Sequence, residues 1–259
     1  MPVKRVRDGL EVLRRPVLFV HGQGQTARDM LPIANQYRFH GYGDAELYAS
    51  TWSDAGVDAR STRMRCKYVK RIRSWINAVA SHTGVSRIDV VAYSMGVPLA
   101  LKAIKGGSCV DGFERLGRRL RKVRAFVGIA GPLLGLQRCT EPVRGTDCDP
   151  RTGLYPGDVY CDSATKSRFL SDVGRCGRVA TSVYSIWSKG DSTVPYEICG
   201  RFCSKIRGTS EWWSARKGDH AEILEGSVPV QSSHEDESPP ESGRQMGCDA
   251  RSSRLRQAD

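Results

Sequence analysis

The stretch Arg87-Ile-Asp-Val-Val-Ala-Tyr-Ser-Met-Gly-Val-Pro-Leu-Ala-Leu-Lys-Ala-Ile104 limits what this chain can fold into more than any other. Ile88, Val90, Val91 and Ala92 suit a strand covered on both faces, whereas Leu99, Ala100, Ala103 and Ile104 recur at helical spacing. No loop residues separate the two patterns, so the strand must turn directly into the helix with Ser94 at the junction. Ala92 and Gly96, two positions either side of the serine, are small where strand and helix approach closely. Pro98 falls in the first helical turn, where amide donors have no intrahelical partner and a missing N–H costs little. The pattern is that of a nucleophile elbow, written Ala-x-Ser-x-Gly. An ordinary strand-to-helix turn fits a bare match of this kind equally well, so the rest of the chain decides between the two.

The 259 residues are enough for one large domain with a substantial core. No run approaches the ~18 apolar residues of a membrane span, and none is expected. Lys and Arg number 40 against 28 Asp and Glu, a formal charge of +12 that attracts anionic partners. The basic residues are dispersed, as in Arg60, Arg63, Arg65, Lys67, Lys70, Arg71 and Arg73, and no nucleic-acid motif accompanies them. A solvated basic helix face accounts for this arrangement; an anionic lipid surface or polyanion is the partner to test, and specific nucleic-acid binding is not expected.

Nine cysteines are too many for an ordinary cytosolic enzyme and lack the paired spacing of a zinc site. They point to disulfides in a secreted protein and to no metal. Eight lie between Cys66 and Cys203 and the ninth, Cys248, sits in a polar tail, which suggests four bridges and one leftover thiol. Cys199 and Cys203 are expected to be bridged, or nearly so, to the segment that contains Cys139, Cys148, Cys161 and Cys176. The basic start, Met1 to Asp8, has no apolar run after it and so no visible signal peptide; either the amino terminus is incomplete or the chain is intracellular with reduced cysteines, and the first reading is preferred.

Along the chain, a basic lead over 1–14 precedes a domain over 15–224. Val17-Leu-Phe-Val20 is a buried strand ending in the turn His21-Gly22-Gln23-Gly24. Thr26 with Asp29 reads as a helix start, and Met30, Ile33, Ala34 and Tyr37 follow helical spacing up to Gly41. Ala45–Trp52 reads as a short strand, Cys66 to Ala80 as an amphipathic helix ended by Gly84, and Lys122–Pro132 as another core strand. This alternation predicts a mostly parallel, doubly wound sheet. Periodicity fails over 133–178, a cysteine-rich insertion expected to lie over the carboxyl end of the sheet. Val179–Trp187 is the last core strand, and 225–259 is expected to be a disordered tail.

A serine hydroxyl becomes a nucleophile only when an imidazole takes its proton and a carboxylate holds that imidazole. Of five histidines, His21 lies in the glycine-bearing turn, His40 and His82 near helix ends, and His234 in the tail, which leaves His220. The acid should follow a core strand between the serine and the histidine in chain order. Asp191 does; Asp158, Asp162 and Asp172 have no preceding strand, and Asp219 adjoins the histidine it would have to orient. Two backbone amides, of Met95 directly after the serine and of Gln23 after His21-Gly22, would form an oxyanion hole, with Ala92 and Gly96 supporting the elbow.

The motifs His21-Gly-Gln-Gly24, Asp44-Ala-Glu-Leu-Tyr-Ala-Ser-Thr51, Cys66-Lys-Tyr-Val-Lys70, Asp89-Val-Val-Ala-Tyr-Ser-Met-Gly-Val-Pro98 and Val127-Gly-Ile-Ala-Gly-Pro132 resemble, in order, the class 2 lipase/esterase family, particularly its secreted nematode members. The resemblance covers about residues 15 to 224. It implies a compact α/β-hydrolase acting on carboxylic esters, acylglycerols or short acyl esters, through an acyl-enzyme and without a cofactor. Carried over by position, Ser94 is the nucleophile, Asp191 the acid and His220 the base. Tyr93 stands where many relatives have His, and the Gly-Asp-His220 setting is unusual. The competing readings are a catalytically silent binding protein on the same scaffold, and a thioesterase or acyltransferase.

Overall fold

The computed structural model describes residues 5–7, 10–54, 56, 58–157, 166–175, 179–198, 200–229 and 231. The apolar runs of the sequence become strands of one sheet: β1 (Val17–Val20), β2 (Leu47–Ala49), β3 (Ile88–Tyr93), β4 (Val123–Ile129), β5 (Ser182–Ser188) and β6 (Glu211–Ala215). Their order is β6-β5-β4-β3-β1-β2, and every neighbouring pair is parallel. Both faces of such a sheet must be covered. Helices α2 (Cys66–His82), α3 (Gly96–Lys105) and α4 (Arg168–Val173) contribute to the core on one face, and α1 (Leu31–Phe39) and α5 (Glu222–Gly226) to that on the other.

The topology says where a site can lie. From β1 the chain runs outward to β2 and then returns to the other side of β1 as β3, so the winding reverses between β1 and β3. At such a switch point the two following loops part and leave a crevice at the carboxyl ends of the strands. Val20 pairs with Ala92 and Ala92 with Gly128, which sets the ends of β1, β3 and β4 level. The His21–Gly24 turn and Ser94 therefore emerge side by side.

Several expectations are corrected. The second strand is three residues long, because Asp44–Glu46 form a 3₁₀ turn first. Its cause is Glu46, whose buried carboxylate accepts the amides of Leu13 at 2.6 Å and Gly43 at 2.8 Å. Within the expected insertion, α4 is a helix capped by Ser167 Oγ, which accepts the Leu170 amide, and Phe169 and Leu170 join the core. The lead over 1–14 contains an antiparallel pair, Arg5–Arg7 with Leu10–Val12.

Packing also continues past the expected start of the tail at 225. Val228 and Gln231 are wholly buried. Gln231 accepts from the Tyr37 hydroxyl at 3.2 Å and donates to Leu224 O at 3.0 Å and Ser227 Oγ at 2.8 Å, so its amide is satisfied and its polarity is no bar to burial. The rest of the expected tail lies outside the described residues.

Two disulfides are present among the described residues, Cys66–Cys109 and Cys139–Cys148. Cys203, expected to be bridged to the insertion, is free and buried. Its sulfur meets the Gly135 carbonyl at 3.4 Å rather than a second sulfur. Cys161, Cys176, Cys199 and Cys248 lie outside the described residues. No helix among the described residues is long and apolar enough to cross a membrane.

Candidate active site

Ser94 sits at the end of β3 with φ 51°, left-handed backbone that a residue with a Cβ adopts only when its surroundings impose it. Here the Ser94 amide is held by Ile129 O of β4 at 2.9 Å, and the Ser94 carbonyl accepts Val97 N of α3 at 2.9 Å. The residues flanking it are held to small size by close contacts. A Cβ on Gly96 would lie 2.5 Å from His21 O and 2.7 Å from Val20 O, and one on Gly22 would lie 3.0 Å from Ser94 Cβ. Ala92 is fully buried in the strand. Ala130, directly after β4, is the other non-glycine residue at positive φ among the described residues.

Asp191 follows β5 and His220 follows β6, and the structure brings both to the serine. His220 Nε2 lies 2.9 Å from Ser94 Oγ, and its Nδ1 lies 2.6 Å from Asp191 Oδ2. A carboxylate only accepts, so Nδ1 carries the proton and Nε2 is free to accept from the serine hydroxyl. Asp191 Oδ1 in turn accepts the amides of Thr193 at 2.8 Å and Val194 at 2.9 Å. These bonds fix the carboxylate in a loop that would otherwise be free to rotate it away.

The acid loop and the base loop are laced together. Ser188 Oγ donates to Gly218 O at 2.7 Å and accepts the Gly190 amide at 3.0 Å. Asp219 Oδ1 accepts Ala221 N and Glu222 N while Glu222 Oε2 accepts Asp219 N, a reciprocal exchange of the capping-box kind that sets His220 at the entry to α5. This is the role of the unusual Gly-Asp-His setting. Asp172, a rejected candidate acid, pairs with buried Lys102 at 2.7 Å. Asp158, Asp162 and His234 lie outside the described residues, and His40 and His82 are at helix ends.

His21 is fully buried and does not reach the serine side chain. Its Nδ1 meets Gly22 O at 2.7 Å, its Nε2 accepts the Trp52 amide at 3.2 Å, and its ring stacks on Trp52 with centroids 5.0 Å apart. Burial pushes its pKa down, so it is held neutral. The Trp52 indole donates to His21 O at 2.8 Å, which fixes the backbone from which Gly22 and Gln23 continue. Among the described residues neither the Gln23 nor the Met95 amide donates to a protein acceptor. The Gln23 side chain donates to Asp147 Oδ2 at 2.9 Å, which ties the segment after β4 to the turn after β1.

Two residues that sequence reasoning did not assign to the site complete it. Trp52 braces the turn after β1, and Tyr93 donates its hydroxyl to His220 O at 2.7 Å with its ring 4.9 Å from the imidazole. Burial, then the nearby Asp191, pushes the Tyr93 pKa up, so the phenol stays a donor.

A doubly wound parallel sheet with a strained serine at the switch point defines an α/β-hydrolase. A family model described as lipase (class 2) matches residues 14–233, and the chain belongs to that family. It is a carboxylic ester hydrolase. Solved structures similar to it include the mature lipase BlEst2 of Bacillus licheniformis, at 13% identity over 85% of this chain and 91% of that one, with a TM-score of 0.58. The Pyrococcus furiosus esterase Pf2001 is 13% identical over 85% and 80%, with a TM-score of 0.53. The esterase domain of a Rhodothermus marinus protein is 14% identical over 85% of each chain, with a TM-score of 0.51. At these identities the likeness is one of fold.

Proposed function

We propose that the protein hydrolyses acylglycerols or short acyl esters through an acyl-enzyme on Ser94. The observation that carries this reading is the continuous hydrogen-bonded chain from Asp191 through His220 to Ser94. As Ser94 Oγ attacks the ester carbonyl, His220 Nε2 takes the hydroxyl proton and Asp191 stabilises the imidazolium. The carbonyl oxygen becomes an oxyanion that the Met95 and Gln23 amides would receive; one such donor is worth about 2.7–4 kcal/mol in the transition state. Collapse expels the alcohol, protonated by His220. Water, deprotonated by the same imidazole, then releases the acid and restores the serine. No step calls for a cofactor. Secretion belongs to the same proposal, supported by the two disulfides, which persist in oxidising compartments.

The test is labelling of the folded, oxidised protein with a fluorophosphonate, followed by peptide mapping. Stoichiometric modification at Ser94 is expected, lost in Ser94→Ala together with at least about 10³-fold of the ester hydrolysis rate. A folded protein that neither labels nor hydrolyses esters would leave the scaffold as a binding protein.

A further inference from the structure

Away from the serine, five arginines converge on one cleft of about 620 Å³: Arg63 and Arg65 before α2, Arg144 and Arg151 in the insertion, and Arg168 at the start of α4. None of Ser94, Asp191 and His220 lines it. Two carboxylates share the cleft, and both are committed to backbone amides. Asp111 accepts Cys66 N with both oxygens, at 3.0 and 3.2 Å. Asp149 accepts Arg151 N, Thr152 N and Gly145 N at 2.8, 2.9 and 3.0 Å.

The guanidiniums are far less occupied. Arg151 Nε donates to Val110 O at 2.7 Å, and Arg63 Nη1 approaches Asp149 Oδ2 only to 3.6 Å. Arg63 Nε is buried without any hydrogen-bond partner. Among the described residues, the side chains of Arg65, Arg144 and Arg168 make no hydrogen bond or ion pair. Collecting like charges in a concave, partly enclosed site opposes folding, and a buried donor left unpaired adds to that cost. A bound anion would relieve both.

The frame is rigid before any ligand arrives. Cys66–Cys109 fixes the start of α2 to the loop holding Asp111, and Cys139–Cys148 closes the loop bearing Arg144. Met64 N donates to Thr152 O at 2.7 Å and Arg168 N to Pro150 O at 3.1 Å, so the three segments that carry the arginines are joined through their backbones. Such preorganisation lowers the ordering cost of binding. Planar guanidinium forks match tetrahedral oxyanions, which accept two parallel hydrogen bonds from each.

We propose that this cleft binds a compact ligand bearing two or more phosphate or sulfate ester groups, at a site separate from the ester-hydrolysing centre. The experiment is calorimetric titration of the intact oxidised protein with inorganic phosphate, inositol hexakisphosphate and sucrose octasulfate. Saturable binding of one equivalent of at least one polyanion is expected, at least tenfold tighter than inorganic phosphate; the tighter of the two names the ester chemistry. The triple variant R65Q/R144Q/R168Q should weaken that binding at least tenfold. R28Q/R115Q/R121Q, which removes the same charge from exposed positions elsewhere, should weaken it less than threefold. Should the first triple fold poorly, Arg144→Gln alone should weaken binding about threefold with an unchanged melting temperature. Equal weakening by the two triples, or no saturable binding of either polyanion, overturns the proposal. Because binding is read directly, loss of ester hydrolysis in Ser94→Ala leaves this test untouched.

Discussion

Tyr93 lies next to Ser94 in sequence and beneath His220 in space, and its hydroxyl holds the backbone of the residue whose ring must reach the serine. Tyr93→Phe keeps the ring contact and removes one hydrogen bond, worth about 0.5–1.5 kcal/mol. A misplaced imidazole lowers the chemical step rather than binding, so kcat should fall about three- to tenfold with KM little changed, as steady-state hydrolysis of a soluble ester would show. An unchanged kcat would reduce Tyr93 to packing. Ser94 and Asp191 stood out in the sequence because each follows a recognisable core strand in the required chain order, whereas His220 was reached only by setting the other four histidines aside. The part of Tyr93 was not, since a tyrosine in a buried strand reads as core and its partner lies 127 residues away. Trp52 was hidden for the same reason: its bond to His21 O spans 31 residues.

Among the elements, the elbow is the least tolerant of added volume. The Cβ of Gly96→Ala would be pressed against two backbone oxygens at the end of β1, atoms that cannot swing aside as a side-chain tip can. Overpacking of this kind costs about 1–3 kcal/mol. Chemical denaturation should show that loss, and activity should fall further than the unfolded fraction explains, because the His21–Gln23 turn is displaced. Gly226→Ala in α5 meets nothing within 4 Å and should be neutral or slightly stabilising. The central strands β1, β3, β4 and β5 were visible as apolar runs because both their faces are covered. At the edge, β6 reads Glu-Trp-Trp-Ser-Ala with mixed exposure, and only its pairing with β5 makes it a strand. In α4 a helix of six residues sits in a cysteine- and glycine-rich segment too short for a periodic signal.

Over the whole molecule, the doubly wound parallel sheet was readable from the alternation of strands and helices, while its boundaries depended on single side chains. Gln231 carries the packed region past a polar stretch that composition assigns to a tail. The charge of +12 was legible as a sum, but its concentration in one cleft was not, because the five arginines come from three separated segments that only the fold unites.

Cys203 has a consequence for how this protein can be observed. Burial pushes its pKa up to about 12, so at pH 8 the thiol stays protonated and little of it is the thiolate, the form that alkylates and exchanges with disulfides. A sulfur so silent does not exchange with disulfides, and reagent reaches it only when the packing around Gly135 opens. Iodoacetamide capture, mapped to the Cys203 peptide, should be slow in native buffer and accelerate by orders of magnitude through the denaturant transition. Prompt capture in native buffer would contradict this. The buried thiol is thereby a built-in clock, whose trapping rate counts how often the folded protein briefly lets go.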